Sequence, residues 1–151
     1  MLRRICHQHI VGDGMAMDLY SSVRLTDPEC QIRLLDLHPG ALGSSLSGTL
    51  RVASTVETTY EALSYTWGVA APKYSIRLNG LHSLPLTPNL YAALKRLRTG
   101  NGKRTLWVDG ICINQADIAE KTAQVGMMAL IYSNAVCVNA WLGEHDVTLS
   151  N

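Results

Sequence analysis

The hydrophobic pattern divides the chain into short apolar runs separated by Gly, Pro, Asn and Ser. Ile32 to Leu37 (IRLLDL) closes on Pro39-Gly40, which predicts a short apolar strand. After a small-residue loop at 43–47, Leu50 and Val52 mark a second strand with one exposed face. Ala62 to Tyr65, inside YEALSYTWG, reads as a buried strand ended by Gly68. Between Tyr74 and Leu84 two runs flank Asn79-Gly80, a pair that tight hairpin turns favour because both central residues need positive φ.

Helical spacing follows. Thr87 caps and Pro88 opens a helix with an apolar stripe of Leu90, Leu94 and Leu97. It stops at Gly100, with Lys95, Arg96 and Arg98 in its last turns, where the helix dipole favours cations. Thr105 to Asp109 is the next strand. A second helix is predicted from about Ile118 to Ser133, begun by a capping-box pair, Asp117 and Glu120. Its segment from Val125 to Tyr132 is apolar nearly all round, which predicts burial on most sides. Ala135 to Leu142 is the last strand. Apolar strands alternating with helices predict an α/β fold, a parallel sheet with crossover helices plus a small β-hairpin insertion.

Composition narrows the class. The 151 residues suit one domain, read as an irregular arm over 1–28 and a folded unit over 29–151. A net charge of +1 with no run of like charge gives no reason to expect nucleic acid or a membrane surface. No stretch is long and apolar enough for a membrane span, and the N-terminus is a poor signal peptide. Cys6, Cys30, Cys112 and Cys137 are spread without a CxxC pair or zinc-like spacing, which predicts a reduced, cytoplasmic protein with no metal site. Phe is absent, so three Trp and six Tyr supply the aromatic volume.

The densest chemistry lies in LWVDGICINQADIAEK, from Leu106 to Lys121. In an open parallel sheet, ligands bind outside the carboxyl ends of the strands. One such end delivers Ser64, Tyr65, Thr66 and Trp67, and another Asp109, Cys112, Asn114 and Gln115. Glu120, Lys121 and Gln124 share a face of the following helix. Each has a bland counterpart. Asp117 and Glu120 suit a cap, Asn114 and Gln115 bond local backbone, Cys112 is a small hydrophobe, and Trp67 and Trp141 fill core. His82 or His145 would have to approach Cys112 to activate it.

Taken in order, IRLLDLHPG, YEALSYTWG, the Asn-Gly hairpin, LTPNLYAALKRLR, LWVDGICINQADIAEKTAQVGMMALIYSNA and VNAWLG resemble the HET (heterokaryon incompatibility) domain of filamentous fungi, over roughly Ile32 to Gly143. Tyr65, Trp67 and Gly68 match its SY-x-WG signature. Trp107, Asp109, Cys112, Asn114, Gln115, Asp117, Glu120, Lys121 and Gln124 match its W-[IV]-D-x-x-CINQ-x-D-x-x-EK-x-x-QV signature. The resemblance implies an effector of non-self recognition and programmed cell death. It implies a position at the start of larger proteins, hence a chain truncated at its C-terminus or a short stand-alone member. It also implies a likeness to TIR domains, which are flavodoxin-like; some assemble by homotypic contacts and some hydrolyse NAD with a glutamate. That glutamate follows a later strand, nearer Glu144, so Glu120 is not equated with it.

Three functions stay open: a TIR-like hydrolase with NAD as substrate and no required cofactor, a non-catalytic homotypic assembly module, and a small-molecule biosynthetic enzyme. The catalytic candidates are Glu120, Asp109 and Cys112, with Tyr65, Trp67, Asn114, Gln115, Lys121 and Gln124 as ligand-binding candidates. The partners implied are a second copy and a recognition protein.

Overall fold

A computed structural model describes residues 19–144. Most of the predicted arm lies outside them. Its last part does not hang loose: Leu19 to Ser22 are helical, and Leu19, Tyr20 and Leu25 are buried against the domain.

The chain then forms β1 (Gln31–Leu37), β2 (Leu46–Ser54), β3 (Glu61–Tyr65), β4 (Ala71–Leu78), β5 (His82–Leu86), α1 (Pro88–Leu97), β6 (Arg104–Trp107), a single turn α2 (Asp109–Cys112), α3 (Ile118–Gly126), α4 (Met128–Asn134) and β7 (Cys137–Trp141). The seven strands make one sheet in the order β5-β4-β2-β1-β6-β3-β7. β1 sits at its centre, which is why IRLLDL is buried from Ile32 through Leu37.

The predicted parallel sheet with a hairpin insertion is corrected to a mixed sheet. β6, β3 and β7 run parallel, β1 is antiparallel to both β2 and β6, β2 pairs parallel with β4, and the β4–β5 hairpin closes the far side. The physical reason is connection length. The chain passes from β1 to β2 through a short loop, which returns a strand antiparallel. Helices stand only between β5 and β6 and between β6 and β7.

The hairpin turn has the expected backbone, with Asn79 at φ 50° and Gly80 at φ 76°. Asn79 does more than turn. Its Oδ1 accepts from the Leu50 N–H at 2.8 Å and its Nδ2 donates to the Leu50 carbonyl at 3.1 Å, so one side-chain amide continues the β2–β4 ladder. Aspartate would keep the turn and lose the donor. Asn79→Asp should cost about 1–2 kcal/mol in urea unfolding, from the carbonyl left without its partner.

At the sheet centre the Asp36 carboxylate accepts from Arg51, Lys103 and Thr105. Burial works against its charge, but these three donors outweigh burial and bring the carboxyl down to about 2. A depressed folded pKa adds stability above the unfolded value and loses it as pH falls through the folded one. Stability should therefore drop between about pH 4 and pH 2, and Asp36→Asn should flatten that drop in acid melting curves.

The long helix predicted from Ile118 to Ser133 is two helices. The Met127 N–H lies within reach of the carbonyls of Ala123, Gln124 and Val125, so the turn tightens there and α4 sets off anew. Nor is the apolar segment buried all round: Val125 is 52% and Leu130 47% exposed. β7, an edge strand, exposes Cys137, Val138 and Ala140.

Candidate functional site

β6 ends at the buried Trp107, and the chain passes through the buried Val108 into α2 at Asp109. There the Asp109 carboxylate accepts from the Trp67 indole N–H at 3.0 Å and the Gly110 N–H at 2.7 Å. Trp67 reaches it from beyond β3, with its ring stacked near that of Tyr65 at 6.2 Å and an interplanar angle of 11°. Tyr65 overhangs the same turn. A Cβ on Gly110 would collide with the Tyr65 hydroxyl, so glycine there is a condition of the arrangement.

These groups stand where the parallel strands β6, β3 and β7 end. Tyr65 is paired with Trp141 of β7, and the first turn of α1 locks both ends down. The Asn89 amide donates to the Thr66 carbonyl at 2.8 Å and accepts from the Trp141 indole N–H at 2.8 Å. Trp67 keeps 50% of its surface open. Burial raises the Asp109 carboxyl above the ordinary range despite its hydrogen bonds from Trp67, Gly110 and Tyr65. Burial also raises the Tyr65 hydroxyl, with the Asp109 charge adding to it. The arrangement can stack a planar ring on Trp67 and set the Asp109 carboxyl beside it.

Glu120, in the same polar stretch, is turned inward. It is 8% exposed. Its two oxygens accept from the Arg33 guanidinium at 2.5 Å and 3.0 Å, and one also takes the Asn114 N–H at 2.8 Å. Asp117 caps α3 by accepting from the Glu120 N–H at 3.0 Å, but the expected capping box is only half formed, because the Glu120 side chain goes to Arg33 instead. Arg33 is 1% exposed. It further donates to the carbonyls of Val23 at 2.7 Å and Cys112 at 3.1 Å and lies over the Tyr20 ring.

The other candidates separate. Cys112 is fully buried, and desolvation pushes its thiol up to about 12, so no thiolate nucleophile faces the crevice. His82 lies on β5, four strands from β6 and so about 19 Å across the sheet. His145 lies outside the described residues. Asn114 folds its side chain onto the Ala116 N–H at 3.2 Å, and the Gln115 amide donates to the Asp109 carbonyl at 3.1 Å. Gln124 is fully buried and donates to the carbonyls of Pro28 at 2.7 Å and Gln31 at 2.8 Å. Lys121 is exposed on α3. The predicted crevice thus gathers Tyr65, Trp67 and Asp109, while Glu120, Cys112 and Gln124 belong to the packing beneath it.

Sequence reasoning missed Arg33 and Asn89. The signal for Arg33 was a cation inside an otherwise apolar run. Asn89 carried none beyond its place in the first turn of a helix. Among the described residues no three His, Cys, Asp or Glu side chains gather at metal-holding spacing, and no helix is long and apolar enough to cross a membrane.

A mixed α/β module with an aromatic–carboxyl site on the edge of its parallel strands defines the class. A family model described as Heterokaryon incompatibility protein (HET) matches residues 60–150. The chain belongs to this family. It is similar to heterokaryon incompatibility protein 6, OR allele, of Neurospora crassa, at 38% identity over 138 residues, covering 82% of this chain and 20% of that protein. The chain therefore spans about a fifth of the length of that relative. No solved structure matches it.

Proposed function

We propose that this chain is the effector module of a cytoplasmic non-self recognition system, and that it acts on a ring-bearing nucleotide at Asp109. The observation that carries this reading is a carboxyl raised by burial beside an exposed, stackable indole, at the edge where parallel strands end. NAD fits that chemistry. Its planar bases stack on Trp67, and a carboxylate at Asp109 stabilises the positive charge that develops when the nicotinamide–ribose bond breaks. This is the TIR-like activity that the family resemblance suggests, with Asp109 taken from the two candidate carboxylates, Asp109 and Glu120. Glu120 is a poor second choice, because both of its oxygens are engaged by Arg33 in the interior.

The test is incubation with NAD and chromatography for nicotinamide. Release by the wild-type chain and none by Asp109→Asn supports the reading. Equal release by both excludes Asp109, and no release by either removes the hydrolase.

A second reading, homotypic assembly without catalysis, draws on β7. It is an edge strand without a charged side chain; its Val138 is 47% exposed, and Val136 just before it is 67% exposed. Light scattering that stays monomeric as concentration rises would remove it.

A further inference from the structure

The net charge of +1 conceals a segregation. From Ala62 to Val108 the chain has no Asp or Glu, yet it carries Lys73, Arg77, Lys95, Arg96, Arg98, Lys103 and Arg104. Several of these are spoken for. Lys103 goes to Asp36 and Arg104 to Glu61. Lys95 and Arg98 donate to the carbonyls of Ala41, Leu42, Ser44 and Ser45, fastening the β1–β2 loop to α1. Lys73 and Arg77 differ. Among the described residues neither reaches a carboxylate, and Lys73 rests over the Tyr74 ring.

Lys73, Ser75 and Arg77 alternate along one face of β4, with Ser83 of β5 directly opposite Arg77. Together with Ser45 and Tyr91 they line an open cleft of about 200 Å³. Among the described residues the hydroxyls of Ser45, Ser75, Ser83 and Tyr91 have no hydrogen-bond partner in the protein. The cleft therefore offers two cations and four hydroxyl groups, with no acid in its lining to oppose an anion. A planar guanidinium beside an ammonium and several hydroxyls suits a tetrahedral oxyanion, which accepts from all of them at once. The cleft is remote from Asp109: Arg77 and Ser83 belong to the outermost strands of the opposite side of the sheet.

We propose that this cleft is a binding site for a phosphate monoester, held chiefly by Arg77 and Lys73. The recognised group is the same whether it is carried by a soluble metabolite or by a lipid headgroup.

The test is two-dimensional NMR of the labelled chain, titrated with inorganic phosphate against chloride at equal ionic strength, which cancels general screening. Saturable shifts centred on residues 73–77 and 83 are expected. Arg77→Ala should weaken binding by about tenfold or more, the usual loss of a charged hydrogen-bond donor. Arg96→Ala, an exposed cation outside the cleft, should leave it unchanged. Both side chains to be removed are exposed, and an unchanged spectrum elsewhere verifies the fold. Sedimentation with phosphatidylcholine vesicles, with and without a phosphoinositide, separates the sources. Binding to phosphoinositide vesicles that phosphate competes away assigns a lipid headgroup, whereas phosphate binding without sedimentation assigns a soluble ester. Absence of saturable shifts, or an equal loss in Arg96→Ala and Arg77→Ala, overturns the site.

Discussion

Replacing Glu120 by alanine lowers the melting temperature by about 10 °C or more, because it strands a buried cation. Arg33 is 1% exposed, and its guanidinium depends on Glu120 for two of its hydrogen bonds. Removing one partner of a buried pair costs roughly 3–5 kcal/mol, against about 1 kcal/mol for a helix cap alone. The cap itself would survive, since Asp117 accepts from the backbone N–H of residue 120 rather than from its side chain. Two controls separate the causes. Asp117→Ala should cost only the cap value, and pairing Glu120→Leu with Arg33→Met should recover much of the loss, because neither charge is then left unpaired. Thermal melts followed by circular dichroism measure all of these. A change of less than about 1 kcal/mol in Glu120→Ala would mean that the pair contributes only as a surface contact does. The same expectation governs activity assays: loss of turnover in Glu120→Ala cannot be read as catalytic until the variant is shown to remain folded.

Asp109→Asn should behave in the opposite way, removing turnover while holding or raising stability at neutral pH. The asparagine oxygen still accepts from Trp67 or Gly110. What disappears is the cost of a charge in a poorly solvated place. With the folded carboxyl raised, the wild type is most favoured below the ordinary carboxyl value and loses that contribution as pH rises through the folded value. The variant should therefore gain on the wild type as pH rises and lose that gain below about pH 4. A loss of turnover of about a hundredfold or more at undiminished stability marks a group acting in the transition state. A parallel fall of both would return Asp109 to the role of a turn-former.

Much of the frame was legible because it is local. The caps at Thr87 and Asp117 and the positive φ at Asn79-Gly80 depend on residues a few positions apart. The unbroken apolar run of β1 likewise marked burial on both faces. What could not be read depends on distant partners. Glu120 and Arg33 stand 87 positions apart, and spacing on a helix says nothing of a cation on a strand. The edge position of β7 was equally hidden, since CVNAW has the composition of an interior strand. The break at Met127 carried only Gly126 as a signal, and a single glycine in an apolar stretch is compatible with an unbroken helix. At the site, the strand ends named from the sequence do bring Tyr65, Trp67 and Asp109 together. It grouped with them side chains that face the other way, because a turn as tight as α2 redirects successive residues inward and outward by turns.

The central place of β1 sets the size of the piece that can be cut out intact. The family match begins at residue 60, whereas β1, β2 and Arg33 all precede it. A fragment trimmed to residues 60–150 would lose β2 and β1, the two strands that join β4 and β5 to the parallel strands within the sheet. It would also carry Glu120 without its counter-charge and Gln124 without the two carbonyls it binds. Such a fragment should be insoluble or unfolded, while one beginning near Leu19 should be expressed as a folded protein. The smallest autonomous unit is thus larger than the region by which the family is recognised.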